Sequence, residues 1–483
     1  MEAVVAAEAP HHQHVVRASG PTIGDFELAI RRQLSEQGVA LQPDTAETVR
    51  QLLEGHRQLL LAVFDPPSVA RLESFLPDEI GGLVIVSAVD AKWPNDAEVE
   101  LAALEPDEVF SVFQQVSRHT MHRSGVGDRH LIVRVVLLAA ELGKPGDAFP
   151  IGDLLGEGPS VPEADQLAVA VGRVIDRLDS AQRDLLDLMA VLGPGWVPYD
   201  LLEASLARST RDEQRQGGIP ELARGLAAMG LITAGDVSAF IDPAVWHALG
   251  EQSPGRALKR PSQRLDSAAV ALLDESDVAD DHLLPVLHYV HCGHTTGALP
   301  SAALTRRAAE VLADRGALLA AEWYFDALVG ATVARHGRIH VETADALNDR
   351  GLVRAERGDL QAALHDFEEA LAILGTSKHT APLRRALLWA NAGRADLGLR
   401  RYARAIEAFE RASALLRSAP EGTAFHEVMV LVMLASAAHS LNDDRRARAA
   451  LRDARQRATA ITDGAEAGEV GRELRRLEAQ IGG

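Results

Sequence analysis

The stretch "RGDLQAALHDFEEALAIL", residues 357–374, decides how the C-terminal third of this chain is read. Ala363 is followed four residues later by Phe367 and three further on by Ala370, spacings that put all three on one helical face. The pattern returns at a constant offset: Ala321, Ala363, Ala405 and Ala447 stand 42 residues apart. Each is followed at the same spacings by Phe325, Phe367, Phe409 or Leu451 and then by Leu328, Ala370, Ala412 or Ala454. Upstream, a turn falls at Gly316, Gly358, Arg400 or Asn442, and before it a small residue stands at Ala309, Gly351, Gly393 or Ala435.

Small residues let a paired helix approach closely while the aromatic fills the remaining gap. Each unit is therefore predicted to be a helix, a turn and a helix. One such pair cannot bury its apolar face alone, so successive pairs are expected to stack into a superhelix. Asn tolerates the left-handed backbone of a tight turn, whereas Arg does so poorly, and the turn at Arg400 is expected to be looser than its equivalents.

In "LLWANAGRADLGLRRYARAIEAFERASAL", residues 387–415, Trp389, Gly393, Tyr402, Ala405, Phe409 and Ala412 match the signature of the tetratricopeptide repeat (TPR) family. The resemblance spans residues 301–462. A period of 42 exceeds the commonest one of roughly 34, which implies a long-helix variety with roughly two extra helical turns. It also implies that the first helix of each pair lines a concave groove that takes a protein or peptide. The faces opposite the packed positions carry Arg306 and Glu310, then Asp345, Asn348 and Leu352, then Leu387, Arg394 and Leu397, and finally Met429, Val432 and His439. The arginine-rich "DDRRARAALRDARQRA" is expected to be the last helix, a polar cap on the solenoid.

Upstream, "AVGRVIDRLDSAQRDLLDLMAVL" places Val174, Leu178, Leu185, Leu188 and Leu192 on one stripe, and "GPGW" then ends a single predicted helix. "GLAAMGLITAGDVSAFI" alternates like a short hairpin around Gly235 and Asp236. Helices followed by a hairpin resemble the winged-helix module that follows the nucleotide domain of STAND-type signalling ATPases. No basic recognition helix is evident there, which favours an internal clamp over a DNA reader.

At the front, residues 14–23, 58–65 and 82–88 are short apolar runs rich in β-formers, separated by helical stretches such as "DFELAIRRQLSEQ". That alternation predicts a parallel α/β sheet. "EVELAALEPDEVFSVFQ", residues 98–114, resembles the end of the nucleotide-binding half of NB-ARC-class STAND ATPases, and Asp65 matches their magnesium-directed carboxylate. Hydrolysis needs a loop whose N–H groups cradle phosphate, with a Lys and a Ser or Thr beside them. No G-x-x-x-x-G-K-[ST] occurs in the chain; "ELGKPG" at 141–146 has Pro145 where the hydroxyl belongs, and the downstream Leu-Pro is missing around "GVGDRHLIVRVV". The nucleotide module is expected to be degenerate, or completed by a segment beyond this sequence.

Other chemistry has little support. "HYVHCGH" at 288–294 brings His288, His291, Cys292 and His294 to helical spacing, but among Leu283, Leu284, Val286 and Leu287 a helix core is the better reading than a metal site. "HHQH" at 11–14 reads as a solvated patch, and "HEVMV" at 426–430 lacks the second His of a zinc-protease helix. Cys292 has no evident base partner.

The totals agree. A chain of 483 residues with 47% apolar content supports about two to four domains. One cysteine and an acidic start, "MEAVVAAEAP", fit a reducing cytosol and no secretory leader. The run "VMVLVMLASAA" at 428–438 is about half the roughly 20 residues a membrane helix needs. A net charge of −20 disfavours nucleic acid.

The expected fold is mainly α: a partial α/β P-loop-like N-terminal module (1–120), a helical connector (121–165), a winged-helix-like domain (166–255), a helical linker (256–300), a TPR α-solenoid of four repeats (301–465) and a tail or cap (466–483). The expected function is a cytoplasmic, bacterial-type, non-enzymatic regulator or scaffold of STAND/TPR type that binds a protein or peptide, with no cofactor, metal, nucleic acid or membrane, and with self-association left open. The alternatives are a nucleotide-dependent switch whose phosphate loop lies elsewhere and a transcriptional regulator reading DNA through the winged helix.

Overall fold

The computed structural model describes Val5 and residues 8–64, 75–87, 171–206, 218–249, 263–461 and 464–482, apart from single positions and short connections within them. Asp65, "EVELAALEPDEVFSVFQ", "ELGKPG", "GVGDRHLIVRVV" and the 121–165 connector lie outside the described residues. The fold is mainly helical with two small sheets. Contacts divide it into two units, one of Met1–Ala40 and Val49–Val311, the other of Leu41–Thr48 and Leu312–Gly483.

The first unit opens with a three-stranded parallel sheet in the order β1-β2-β3, formed by β1 (His14–Ser19), β2 (Leu59–Phe64) and β3 (Leu83–Ser87). Leu59, Leu60, Leu61, Ala62 and Val63 of the central strand are all buried, the unbroken apolar run of a strand covered on both faces. Between β1 and β2 lie α1 (Ile23–Glu36) and α2 (Thr45–Glu54). Thr22 starts α1 with a reciprocal cap: its Oγ1 accepts from Asp25 N–H at 3.1 Å, while Asp25 Oδ2 accepts from Thr22 N–H at 2.8 Å.

The middle of the chain forms α3 (Ser180–Leu192), β4 (Gly195–Pro198), α4 (Tyr199–Ser205), α5 (Gly218–Ala228), β5 (Thr233–Ala234) and β6 (Ser238–Ile241). Its antiparallel sheet has the order β4-β6-β5, and the expected hairpin is there, with Gly235 N–H donating to Ser238 O. The single helix expected before "GPGW" is broken. Asp179 caps α3, accepting from Gln182 N–H at 2.8 Å, so "DSAQ" is a helix start that the apolar stripe concealed. Leu185 and Leu192 are buried as expected, while Leu188 is only half-buried and Leu186 and Met189 face the core in its place. Three helices complete this part: α6 (Gln263–Leu273), α7 (Asp280–Thr296) and α8 (Ala302–Asp314).

The second unit is a stack of helices: α9 (Leu318–His336), α10 (Val341–Glu356), α11 (Leu360–Thr376), α12 (Pro382–Gly398), α13 (Tyr402–Arg417), α14 (Ala424–Ser440), α15 (Asp444–Ala458) and α16 (Gly464–Gly482). Hairpins α10/α11, α12/α13 and α14/α15 repeat the 42-residue unit. All four turns close identically: the N–H groups of Ala317, Asp359, Arg401 and Asp443 donate five residues back, to the carbonyls of Leu312, Arg354, Asp396 and Ala438. The residue before each is left-handed, with φ of 71° at Gly316, 90° at Gly358, 58° at Arg400 and 61° at Asn442. Arg400 therefore does not loosen its turn, contrary to the expectation from its residue type. The hydrogen bonds and helices on either side impose the conformation on it.

Phe367 and Phe409 are buried at the centres of two apolar clusters. The second cluster runs on to Val470, Leu474 and Leu477 of α16. The arginine-rich α15 is thus not the end of the stack. Its apolar edge is covered by α16, which the polar composition of residues 464–482 had hidden.

Candidate protein-binding surface

The first helix of each hairpin turns one face inward through Ala344, Ala386 and Val428, all buried at one repeat position. The next residue of each, Asp345, Leu387 and Met429, starts the column on the open side. Asp345 and Leu387 are half-buried, and Arg384 Nε lies 3.1 Å from Asp345 Oδ1. Asn391 Nδ2 donates to Asn348 Oδ1 at 2.9 Å, tying α12 to α10 across the repeat boundary. Leu352 and Arg394, also one repeat apart, are exposed, Leu352 to 39%. Along α10 and α12 the half-buried Asp345, Asn348 and Leu387 and the exposed Leu352 and Arg394 thus offer acid, amide, aliphatic and cationic groups.

The column closes over towards the C-terminus. Val432 is only 7% exposed and belongs to the apolar core, and Leu397 and Met429 pack against the same core. His439 is half-buried, its Nδ1 3.6 Å from Asp444 Oδ1. Arg306 and Glu310 lie on α8 within the first unit, where Glu310 receives Arg307 Nη1 at 3.3 Å.

Sequence reasoning missed a buried ionic network. Asp366 on α11, with a fully buried side chain, receives Arg350 Nη2 at 2.6 Å and Nε at 3.0 Å, and Arg354 Nη1 at 2.9 Å. The two arginines extend to Asp326 and Glu322 on α9, at 2.7 and 2.8 Å. Burial would weaken the Arg350 charge, but Asp366 and Asp326 outweigh it and hold that guanidinium above its ordinary range. The available signal was a pair of arginines four apart, Arg350 and Arg354, on a helix whose partner helix carries Asp366 beside the core Phe367.

The histidine-cysteine segment lies on α7. His288 Nε2 is 3.0 Å from Cys292 Sγ, and the His288 ring sits edge-on to Trp246. Burial pushes the His288 pKa down to about 3, helped by His291, and pushes the Cys292 thiol up to about 12, helped by Asp25. A neutral thiol beside an imidazole this weak in base strength does not make an activated nucleophile. His294 Nε2 meets Thr305 Oγ1 at 3.0 Å. Among the described residues, His336, His340 and Glu342 could share one ion; His336 Nε2 is 2.8 Å from Glu342 Oε2, and His340 Nδ1 caps α10 by accepting from Glu342 N–H at 3.2 Å.

No family profile matches the chain, and no curated protein matches it. Among solved structures, a signal-transduction ATPase with numerous domains carrying a tetratricopeptide repeat sensor, from Pyrococcus horikoshii, overlaps 97% of this chain and 84% of its own, at 13% identity and a TM-score of 0.34. BtubC from P. vanneervenii overlaps 58% of this chain and 92% of its own, at 13% identity and a TM-score of 0.33. Superpositions this loose carry no argument, and the repeat architecture rests on the turns and pairings described above. No helix among the described residues is long and apolar enough to cross a membrane.

Proposed function

We propose that this chain is a non-enzymatic protein-binding regulator or scaffold of STAND/TPR type, which recognises an extended segment of another protein along the first helices of its solenoid. The observation that carries this reading is the strip Asp345, Asn348, Leu352, Leu387 and Arg394. An aliphatic anchor flanked by charges of both signs and by an amide pair suits a peptide backbone with mixed side chains. In this reading the α3–β6 region is a winged helix. The order of helix, strand, two helices and hairpin supports it, as does the order β4-β6-β5. Its α5 presents Arg224 within 3.5 Å of Glu221, a self-paired face that suits an internal clamp better than a DNA backbone. The parallel β1-β2-β3 sheet would then be the remnant of a nucleotide module that bears structure rather than hydrolysis.

The test is selection of a random peptide display library on the full chain, followed by binding to a Leu352→Glu/Arg394→Glu variant. Enriched peptides that lose about tenfold or more in affinity for the variant support the reading. Peptides that bind both proteins equally would refute the placement of the groove.

A further inference from the structure

The intervals between successive second helices are built on one repeat position but filled differently. Arg350 on α10, Ala392 on α12 and Leu434 on α14 are equivalent, 42 residues apart. Arg350, with a side chain 15% exposed, fills the space between α9 and α11 and bonds to Asp326 and Asp366. Leu434 is buried in the apolar core. Ala392 ends at Cβ, and there a cavity of 380 Å³ opens between α11 and α13, floored by Trp389, Ala392 and Asp396 of α12.

The chemistry around the cavity leans acidic. Glu368 stands at the repeat position of Asp326, while Ala392, Asp396 and Ala408 stand at those of Arg350, Arg354 and Asp366, so one acid of the earlier network is retained, a second takes the place of an arginine, and both arginines are gone. The lining carries three carboxylates, Glu368, Asp396 and Glu407, against two guanidiniums, Arg404 and Arg411. Arg404 pairs with Glu368, and its Nε is 3.4 Å from Asp396 Oδ2; Arg411 pairs with Glu407 and lies 4.6 Å over the Trp389 ring. Asp396 is 3% exposed, and its Oδ1 accepts no hydrogen bond, with Arg401 Nη1 standing off at 3.9 Å. A buried carboxylate oxygen left without a donor is costly, and a charged donor is what relieves it.

We propose that this cavity receives the arginine side chain of a partner protein, its guanidinium entering the space that Arg350 fills one repeat earlier and reaching Glu368 and Asp396. A planar fork with five donors suits two carboxylates better than a compact ammonium does, and the apolar wall formed by Leu364, Leu371 and Trp389 suits its methylenes. The cavity lies between second helices, away from the strip proposed above, so the two surfaces stand or fall separately.

The full chain labelled with fluorotryptophan gives five ¹⁹F signals, one for each tryptophan, and Trp389→Phe identifies the relevant one. The expected result is a saturable shift of the Trp389 signal by an acetyl-Gly-Gly-Arg-Gly-Gly-amide peptide, about tenfold weaker with citrulline in place of arginine. Ala392→Arg, which fills the cavity with an arginine at the repeat position of Arg350, should abolish the shift, and Asp396→Asn should weaken it about tenfold; if one variant does not fold, the other carries the test. Equal shifts with citrulline or lysine peptides, no saturable shift, or an unchanged response in the folded variants would overturn the proposal. Free L-arginine binding more tightly than the peptide would also overturn it, because the occupant would then be a small molecule.

Discussion

The ring of Phe409 stands where a side chain on Gly393 would begin: a Cβ added there would lie 2.7 Å from Phe409 Cε1. One repeat earlier Phe367 stands over Gly351 in the same way, at 2.6 Å. One repeat later the residues are Ala435 and Leu451, both buried, and in the first repeat they are Ala309 and Phe325, so the glycine is special to the two middle repeats. Gly393→Ala should therefore destabilise the chain by about 1–3 kcal/mol, since the clash outweighs the helix propensity of roughly 1 kcal/mol that alanine adds. Gly393→Ala/Phe409→Leu should regain most of that loss in urea unfolding. A double variant no more stable than the single one would defeat the steric explanation.

Arg400 holds φ at 58°, a region that costs a residue with a Cβ about 1 kcal/mol or more. Arg400→Gly should raise stability by roughly 0.5–1 kcal/mol, and Arg400→Ala should give no gain. Thermal unfolding of the two variants checks the difference.

Asp366 and Asp326 bind the same arginine but differ in burial, with side chains 0% and 47% exposed. Asp366→Ala leaves two guanidiniums partly uncompensated inside the stack and should cost about 3–5 kcal/mol. Asp326→Ala should cost about 1 kcal/mol or less, because water can replace it. Denaturant titration that ranked the two alike would contradict the network as described.

Burial raises the carboxyl of Asp25 from 3.8 to about 7, against the opposing hydrogen bonds from Thr22. Because the folded-state value lies above the unfolded one, the group's contribution is fully present below pH 4 and is lost as the pH climbs to 7. Asp25→Asn keeps an acceptor for Thr22 N–H without the charge. It should be more stable than the parent at pH 8, with the difference shrinking towards pH 4, as read by denaturant unfolding along a pH series.

Much of the solenoid was legible because its signal is long-range: three equal offsets cannot arise from local propensity, and they locate helices, turns and the packing between them together. The parallel sheet was legible for the opposite reason, since "LLLAVF" alone is apolar enough to be a strand covered on both faces. The failures are local. "DSAQ" was passed over as helix interior because its capping hydrogen bonds compete with a strong apolar stripe, and Arg400 was judged by residue type although its neighbours set its backbone. Val432 was placed on the open face by counting from the packed alanine, but α14 is apolar almost all round and buries more than one face. The Asp366 network and the cavity above Ala392 were illegible. Both depend on which side chain of one repeat reaches into the next, and that register is visible only once the helices are stacked.

The identical closure of the four turns makes the stack divisible. Excising residues 358–399 would bring Arg400 to the place of Gly358, with the same backbone sense, the same five-residue hydrogen bond and the same alanine and aromatic to follow. Descendants of this chain can therefore grow or shrink by whole cassettes without redesigning a joint, and a binding feature confined to one cassette, such as the opening above Ala392, can be gained or discarded in a single event.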